Sequence, residues 1–360
     1  EGEAGDKEKG YLAACGKPLP LVERVVFEIE KEAVPLQTKF LQGYYDSPSI
    51  DRVDTGLGYL TAMADSPEKN LRFPETVEAS FWYLGFNWLD PVLGGGKTPE
   101  EARRARLLRQ AISIAVDWEE NIAIFQKNQG IPAHGPLPPG LFGWRDGPSA
   151  FNPVVYRKTE EGRVVRRSIE DAKALLREAG YPDGRDALTG KPLILSFDYQ
   201  NAAQGSKAYL EWYQRQFAKL GIQLDIRATD YNRFQDKMNR GAAQIFLWGW
   251  VADYPDAENF LFLFYGPNGK VKHGGENAGN YANPAFDRAF ERMKWLEDGP
   301  EKARAIDEMI RILQEDAPIM FGYYPKAAAA FHEWVLNAKP TSMVRNSLQY
   351  IGVDEALRAR

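Results

Sequence analysis

Asp253 is a carboxylate three residues beyond an indole, Trp250, in the stretch Gln244 to Phe264, QIFLWGWVADYPDAENFLFLF. The pair suits a cationic or amine-bearing ligand, because the indole face attracts a cation and the carboxylate makes a charge-assisted hydrogen bond to it. Both side chains also have an architectural use, as a core aromatic and a turn acid, and the stretch alone leaves the two uses open. Asp253, Asp256 and Glu258 form the one obvious acid cluster, which raises carboxylate-dependent hydrolysis of a glycan or peptide as a rival chemistry. Hydrolysis needs two carboxyls facing one bond with separated pKa values. Asp256 and Glu258 have a simpler use at the start of a helix, where the dipole favours acids.

Other reactive types are sparse. His134, His273 and His332 are far apart, and Cys15 is the single cysteine. No internal disulfide, CxxC pair or HExxH pattern follows from them, so neither metal nor cofactor is expected. His134 lies in the proline-rich stretch GIPAHGPLPPG without a nucleophile or orienting acid nearby, and no catalytic residue is assigned.

The elements that would position Trp250 and Asp253 can be read around them. Ile245 to Trp248 reads as a buried strand, and Gly249 as a point of close approach at its exit. Pro255 turns the chain and Asp256 is expected to cap a helix through Asn259, Phe260, Phe262 and Leu263. Upstream, Leu193 to Tyr199, Lys207 to Leu220 and Ile222 to Ile226 alternate as strand, helix and strand, and Asp230 to Asn239 supplies a further helix. This alternation predicts a mostly parallel sheet covered on both faces, with ligands beyond the carboxyl ends of its strands. Tyr83, Asn87, Tyr231 and Tyr254 join the candidate ligand-binding residues on aromatic or amide character near that cleft.

Two further aromatic segments with an internal glycine, FWYLGFN (Phe81 to Asn87) and PIMFGYYP (Pro318 to Pro325), read as strands crossing between lobes. Strong amphipathic helices are expected from Pro99 through Ala115, after Ser168 with Asp171 as a capping box, from Pro284 to Leu296 and from Pro300 to Gln314. Val22 to Ile29 reads as a strand, Pro35 to Leu41 and Leu57 to Ala64 as helices, and Glu1 to Lys9 as a disordered or tethered lead. The basic run Arg103, Arg104, Arg106 and Arg109 reads as a solvated helix face.

At 360 residues the chain exceeds the ~250–300 residues at which a single core stops growing, so two lobes are expected. A net charge of −5 without a basic stripe argues against nucleic acid as a partner. No apolar run approaches the ~18 residues of a membrane span. The chain starts at Glu1, and no signal peptide or lipid anchor is legible there.

Several segments taken together resemble the dipeptide-, oligopeptide- and nickel-binding family of solute-binding proteins that serve ABC importers. They are FLQGYYD (Phe40 to Asp46), LLRQAISIAVDWEENIAI (Leu107 to Ile124), GIPAHGPLPP, SIEDAKALLREAGYPDG (Ser168 to Gly184), LGIQLDI (Leu220 to Ile226), GWVADYPDAENF (Gly249 to Phe260) and YANPAFD (Tyr281 to Asp287). The resemblance runs from about Leu19 onward and implies a two-lobed α/β fold of the periplasmic-binding-protein type II class. It implies that residues 1–83 are the C-terminal part of a discontinuous lobe I, 84–322 a largely complete lobe II and 323–360 the return to lobe I. Nothing here matches the family's N-terminal half, which becomes an expected partner alongside a peptide or other amine-bearing solute and the permease. An extracytoplasmic setting, periplasmic or cell-surface, is implied in the same way. The resemblance places the amine-pairing aspartate of the family's GWxADY motif on Asp253 and its pocket tryptophan on Trp250. Leu247 stands where oligopeptide binders can carry an arginine for the ligand carboxylate.

Overall fold

The computed structural model describes residues 5–30, 33–48, 71–72, 75–147, 150–200, 206–339 and 346–359. The chain divides into two compact units, Glu1–Glu78 with Ile122–Gly130 and Pro325–Arg360, and Ala79–Asn121 with Ile131–Tyr324. The chain therefore passes between them four times.

In the first unit, helix α1 (Ala33–Leu41) ends where Gly43 adopts φ +81°. Phe40 is fully buried against the packed Leu41, Tyr45 and Leu71, and its carbonyl lies 2.6 Å from the His332 ring nitrogen. Short strands β1 (Leu71–Arg72) and β2 (Glu75–Val77) pair antiparallel with segments near the C-terminus. Residues 5–16 form a chain of turns, and buried Asp6 receives Lys339 Nζ at 2.9 Å, where a disordered or tethered lead was expected over Glu1 to Lys9. The expected strand Val22 to Ile29 is absent: the segment bends at Val22 and Glu23 and pairs with no strand among the described residues, and Val25, Val26, Phe27 and Ile29 are exposed, Ile29 to 93%. Alternation supplied the pattern, but a strand exists only where a neighbour takes up its hydrogen bonds. The expected helix Leu57 to Ala64 lies outside the described residues.

The second unit is built on β3 (Ser80–Phe86), helices α2 (Pro99–Ala115) and α3 (Trp118–Phe125), and β4 (Gly130–Pro132), the last two continuing from or into the first unit. A hairpin, β5 (Tyr156–Lys158) and β6 (Val164–Arg166), precedes α4 (Ile169–Glu178). Then come β7 (Ile194–Tyr199), α5 (Lys207–Ala218), β8 (Gln223–Ala228), α6 (Tyr231–Asn239), β9 (Ile245–Val251) and the single turn α7 (Glu258–Leu261). After α8 (Lys270–His273), α9 (Pro284–Met293) and α10 (Pro300–Asp316), strand β10 (Ile319–Ala328) closes the order. The Ser168 cap is the predicted one, and acids cap two further helices. Ser168 and Asp171 exchange hydrogen bonds as a capping box, Asp230 accepts from Arg233 N–H at 3.1 Å, and Asp117 from Glu120 N–H at 3.0 Å.

The sheet runs β10-β3-β9-β7-β8 through this unit. β8, β7 and β9 are parallel, as the β-α-β reading requires, but β3 is antiparallel to both β9 and β10. The sheet is mixed rather than mostly parallel. β3 and β10 are the two aromatic segments read as separate crossings, and they pair with each other, Leu84 facing Met320 and Gly85 facing Ile319.

Arg109 corrects the reading of the basic run. Arg103 is exposed, but Arg109 is 1% exposed, and it donates to the carbonyls of Leu93, Gly94, Asp316 and Ala317 at 2.7–3.1 Å while its guanidinium lies 4.3 Å from the Trp88 ring centroid. A planar cation with five donors can satisfy four carbonyls at once, which a lysine cannot.

Candidate functional site

Trp250 is the sixth residue of β9, which enters the core as Ile245, Phe246 and Leu247, all buried, and emerges at Val251. Gly249 stays inside the strand rather than interrupting it, paired with Trp82 of β3. A β-carbon there would lie 2.9–3.0 Å from three atoms of the Trp82 indole, so the group that approaches this glycine is a neighbouring ring.

Beyond the strand the chain is gathered by Asn259 of α7, which is 2% exposed. Its Oδ1 accepts the Trp250 indole N–H at 3.2 Å and the Asp253 backbone N–H at 2.7 Å, and its Nδ2 donates to Asp253 Oδ2 at 3.3 Å. One buried carboxamide thus fixes the indole and carboxylate in register, with Phe262 edge-on to the indole at 5.1 Å. Asp253 itself is exposed. Such an arrangement fixes a carboxylate acceptor beside a half-buried indole, with the acceptor already oriented.

The rest of the acid cluster is committed. Asp256 accepts Glu258 N–H at 2.8 Å and receives Lys302 Nζ at 2.7 Å. Burial works to lower the Lys302 pKa, but the bonds to Asp256 and Asp298 outweigh it and hold the ammonium above its usual range. Asp256 therefore anchors the turn to α10 instead of capping a long helix; α7 has one turn, continued by a 3-10 turn over Phe262–Phe264. Glu258 accepts the Tyr254 hydroxyl, and burial together with that carboxylate pushes the phenol up to about 12.

The other sequence candidates separate. Tyr254 is partly exposed beside Asp253. Tyr231 opens α6 just after β8 and is 48% exposed, at the same carboxyl end of the parallel strands as Trp250. Asn87 is at the opposite end of the sheet, since Phe86 faces Ile245 at the start of β9; its Nδ2 donates to the carbonyls of Gly241 and Ala243 and its Oδ1 accepts Leu89 N–H. Tyr83 is buried, stacked on Phe81 at 5.0 Å, and burial pushes its phenol above the ordinary range. Asn259 was missed as a site residue. Its signal was an amide six residues after Asp253 at the head of the apolar run Phe260 to Phe264, where a buried polar group has to be hydrogen-bonded. Among the described residues no cluster of three or more His, Cys, Asp or Glu could hold a metal ion.

The model of the bacterial extracellular solute-binding proteins, family 5, middle region, matches residues 6–272. The periplasmic oligopeptide-binding protein OppA of Salmonella typhimurium is 25% identical over 229 residues, 63% of this chain and 38% of that protein. Di/tripeptide-binding protein 2 of Pseudomonas aeruginosa is 26% identical over 251 residues, 66% of this chain and 42% of that protein. The chain thus spans less than half the length of these curated relatives. Among solved structures, HbpA2 of Haemophilus parasuis superposes with a TM-score of 0.70 at 19% identity, covering 93% of this chain and 59% of that one. The periplasmic binding protein DppA of Helicobacter pylori, in complex with the peptide STSA, gives 0.69 at 17% identity over 91% and 56%. These likenesses show the fold, and the match across most of the sequence shows that the chain belongs to the bacterial extracellular solute-binding proteins of family 5.

Proposed function

We propose that this chain is a solute-binding component of an ABC importer, working outside the cytoplasm and holding a peptide or peptide-like amine at Asp253 and Trp250 for delivery to a membrane permease. Asn259 carries the reading, because one buried carboxamide holds both the indole N–H and the exposed Asp253 carboxylate and so pre-orients the two together. A pre-set acceptor loses little freedom on binding, and a charge-assisted contact of this kind contributes about 1.5–3 kcal/mol. Tyr254 and Tyr231 are the further contacts on this end of the strands, while Asn87 and Tyr83 act in the framework. The hydrolase reading draws no support from the acids, since Asp256 is held by Lys302 and Glu258 by Tyr254.

We read the second unit as lobe II, expected over 84–322, and the first as the part of lobe I expected over 1–83 and 323–360, with Ile122–Gly130, expected within lobe II, falling in the first unit. The exposed apolar run Val25 to Ile29 favours further polypeptide of the kind the longer relatives carry as its cover. Native mass spectrometry of the protein purified from its own cells tests the function. A retained amine-bearing peptide or peptide-like mass supports it; a retained solute without a basic nitrogen contradicts it.

A further inference from the structure

A cavity of about 990 Å³ opens in the second unit away from the β9 exit. Tyr324 of β10 is in its wall, and β10 is separated from β9 by β3. The volume matches the ~300–1,000 Å³ of small-molecule sites. Its lining is mainly apolar: Ile131, Leu137, Val164 and Ile310 with the rings of Trp144 and Phe151.

The wall is held in place by side chains that have little other use. Gln314 Nε2 donates to the His134 carbonyl at 2.8 Å, and the buried Tyr324 hydroxyl donates to the Gly135 carbonyl at 2.7 Å. These two bonds fix the proline-rich loop that forms one side. Gly143, in the next wall segment, has φ +89° and approaches Ile306 so closely that a β-carbon would lie 2.7 Å from Cδ1, which fixes the path of that segment. His134 packs edge-on to Tyr156 at 4.8 Å, and burial lowers its pKa, so the ring adds no charge at neutral pH.

The charges lie at the rim and do not balance. Three arginines, Arg145, Arg163 and Arg311, face two aspartates, Asp146 and Asp307. Arg145 and Asp307 neutralise each other through two bonds at 2.7 and 3.1 Å. Asp146 accepts the N–H of Gly147 at 2.6 Å. Among the described residues Arg163 pairs with Glu161 at 3.7 Å and Arg311 with Glu315 at 4.0 Å, exposed pairs that contribute little in water. Counted over the lining alone, the arginines exceed the aspartates by one, above an apolar floor.

We propose that this cavity is a second binding site, distinct from the Trp250 and Asp253 site, for an amphipathic monocarboxylate whose apolar body enters the cavity and whose carboxylate meets Arg163 and Arg311. Neither the amine site nor transport requires it.

Calorimetry with decanoate, decanol and decylammonium on the whole chain tests the proposal. Decanoate is expected to bind at one saturable site per chain, with decanol and decylammonium at least tenfold weaker. The exposed double substitution Arg163→Gln with Arg311→Gln should weaken decanoate about tenfold and leave decanol within twofold. Ile310→Trp, which fills the floor, should abolish both. Asp253→Asn should leave decanoate binding unchanged, so failure of the amine site and failure of this one are read separately. Equal affinity for the three probes, no saturable decanoate binding, or decanoate binding indifferent to the arginine pair overturns the proposal. The arginine pair is exposed and lies outside the core, so its outcome is readable even if Ile310→Trp fails to fold.

Discussion

Asn259 holds Asp253 at two points, accepting its backbone N–H at 2.7 Å and donating to its carboxylate at 3.3 Å, while the same amide oxygen receives the Trp250 indole. The consequence is that the carboxylate and the ring cannot move independently. Asn259→Leu keeps the volume and removes all three bonds. It should lower stability by about 1–3 kcal/mol, because the indole and backbone donors lose their partner. It should also weaken an amine-bearing peptide by about fivefold or more. Thermal unfolding and calorimetry on the same sample check both, and a variant that loses stability but keeps full affinity would remove the positioning role.

Gly249 and Trp82 offer a second test. Since a β-carbon at 249 falls 2.9 Å from the Trp82 ring, Gly249→Ala is expected to cost about 1–3 kcal/mol through overpacking. Trp82→Leu in the same chain should recover part of that cost. A double-mutant cycle in urea with no coupling between the two positions contradicts the contact.

Arg109 is a buried cation whose guanidinium depends on carbonyls, and burial lowers its pKa to about 9, with Asp316 opposing the shift. Arg109→Leu leaves the carbonyls of Leu93, Gly94, Asp316 and Ala317 without this donor. Replacement by Lys supplies fewer donors in a geometry that does not fit. Both should unfold at lower denaturant than the parent, Leu by at least about 3 kcal/mol, whereas Arg103→Leu on the same helix should change stability by less than about 0.5 kcal/mol. Similar losses at both positions would count against the burial.

The histidines predict a pH dependence with a definite sign. Burial lowers the pKa of both His134 and His332, so each stays neutral in the folded chain at a pH where the unfolded chain has begun to bind a proton. Their contribution is present above the unfolded pKa of about 6.5 and is lost as pH falls below it toward the depressed folded values. The melting temperature should therefore drop between pH 7 and pH 5.5, and His134→Gln should flatten that slope. A melting temperature that rises over the same interval would reverse the assignment.

Much of the second unit was legible because its signals are local. The capping box at Ser168 and Asp171 and the apolar period of α2, α4 and α10 state where these helices start and which face they bury. The direction of β3 and β10 was not legible, because a fully buried strand has the same composition whether its neighbour runs with it or against it. Arg109 was misread for a similar reason: charge marks a solvated face unless enough carbonyls converge on one guanidinium, and those come from segments far away in sequence. At the proposed site, type and spacing make Asp253 and Trp250 candidates, and the family resemblance favours them. Asn259, which organises them, and the commitment of Asp256 to Lys302 depend on how the turn closes against α10.

The most direct test of the account is calorimetry of Asp253→Asn with a peptide carrying a free α-amino group and with its N-acetylated counterpart. The carboxylate acts on charge, so the substitution should weaken the free-amine peptide about tenfold or more and leave the acetylated one nearly unchanged. Equal losses for both peptides, or none for either, would contradict a role for Asp253 in holding the amine.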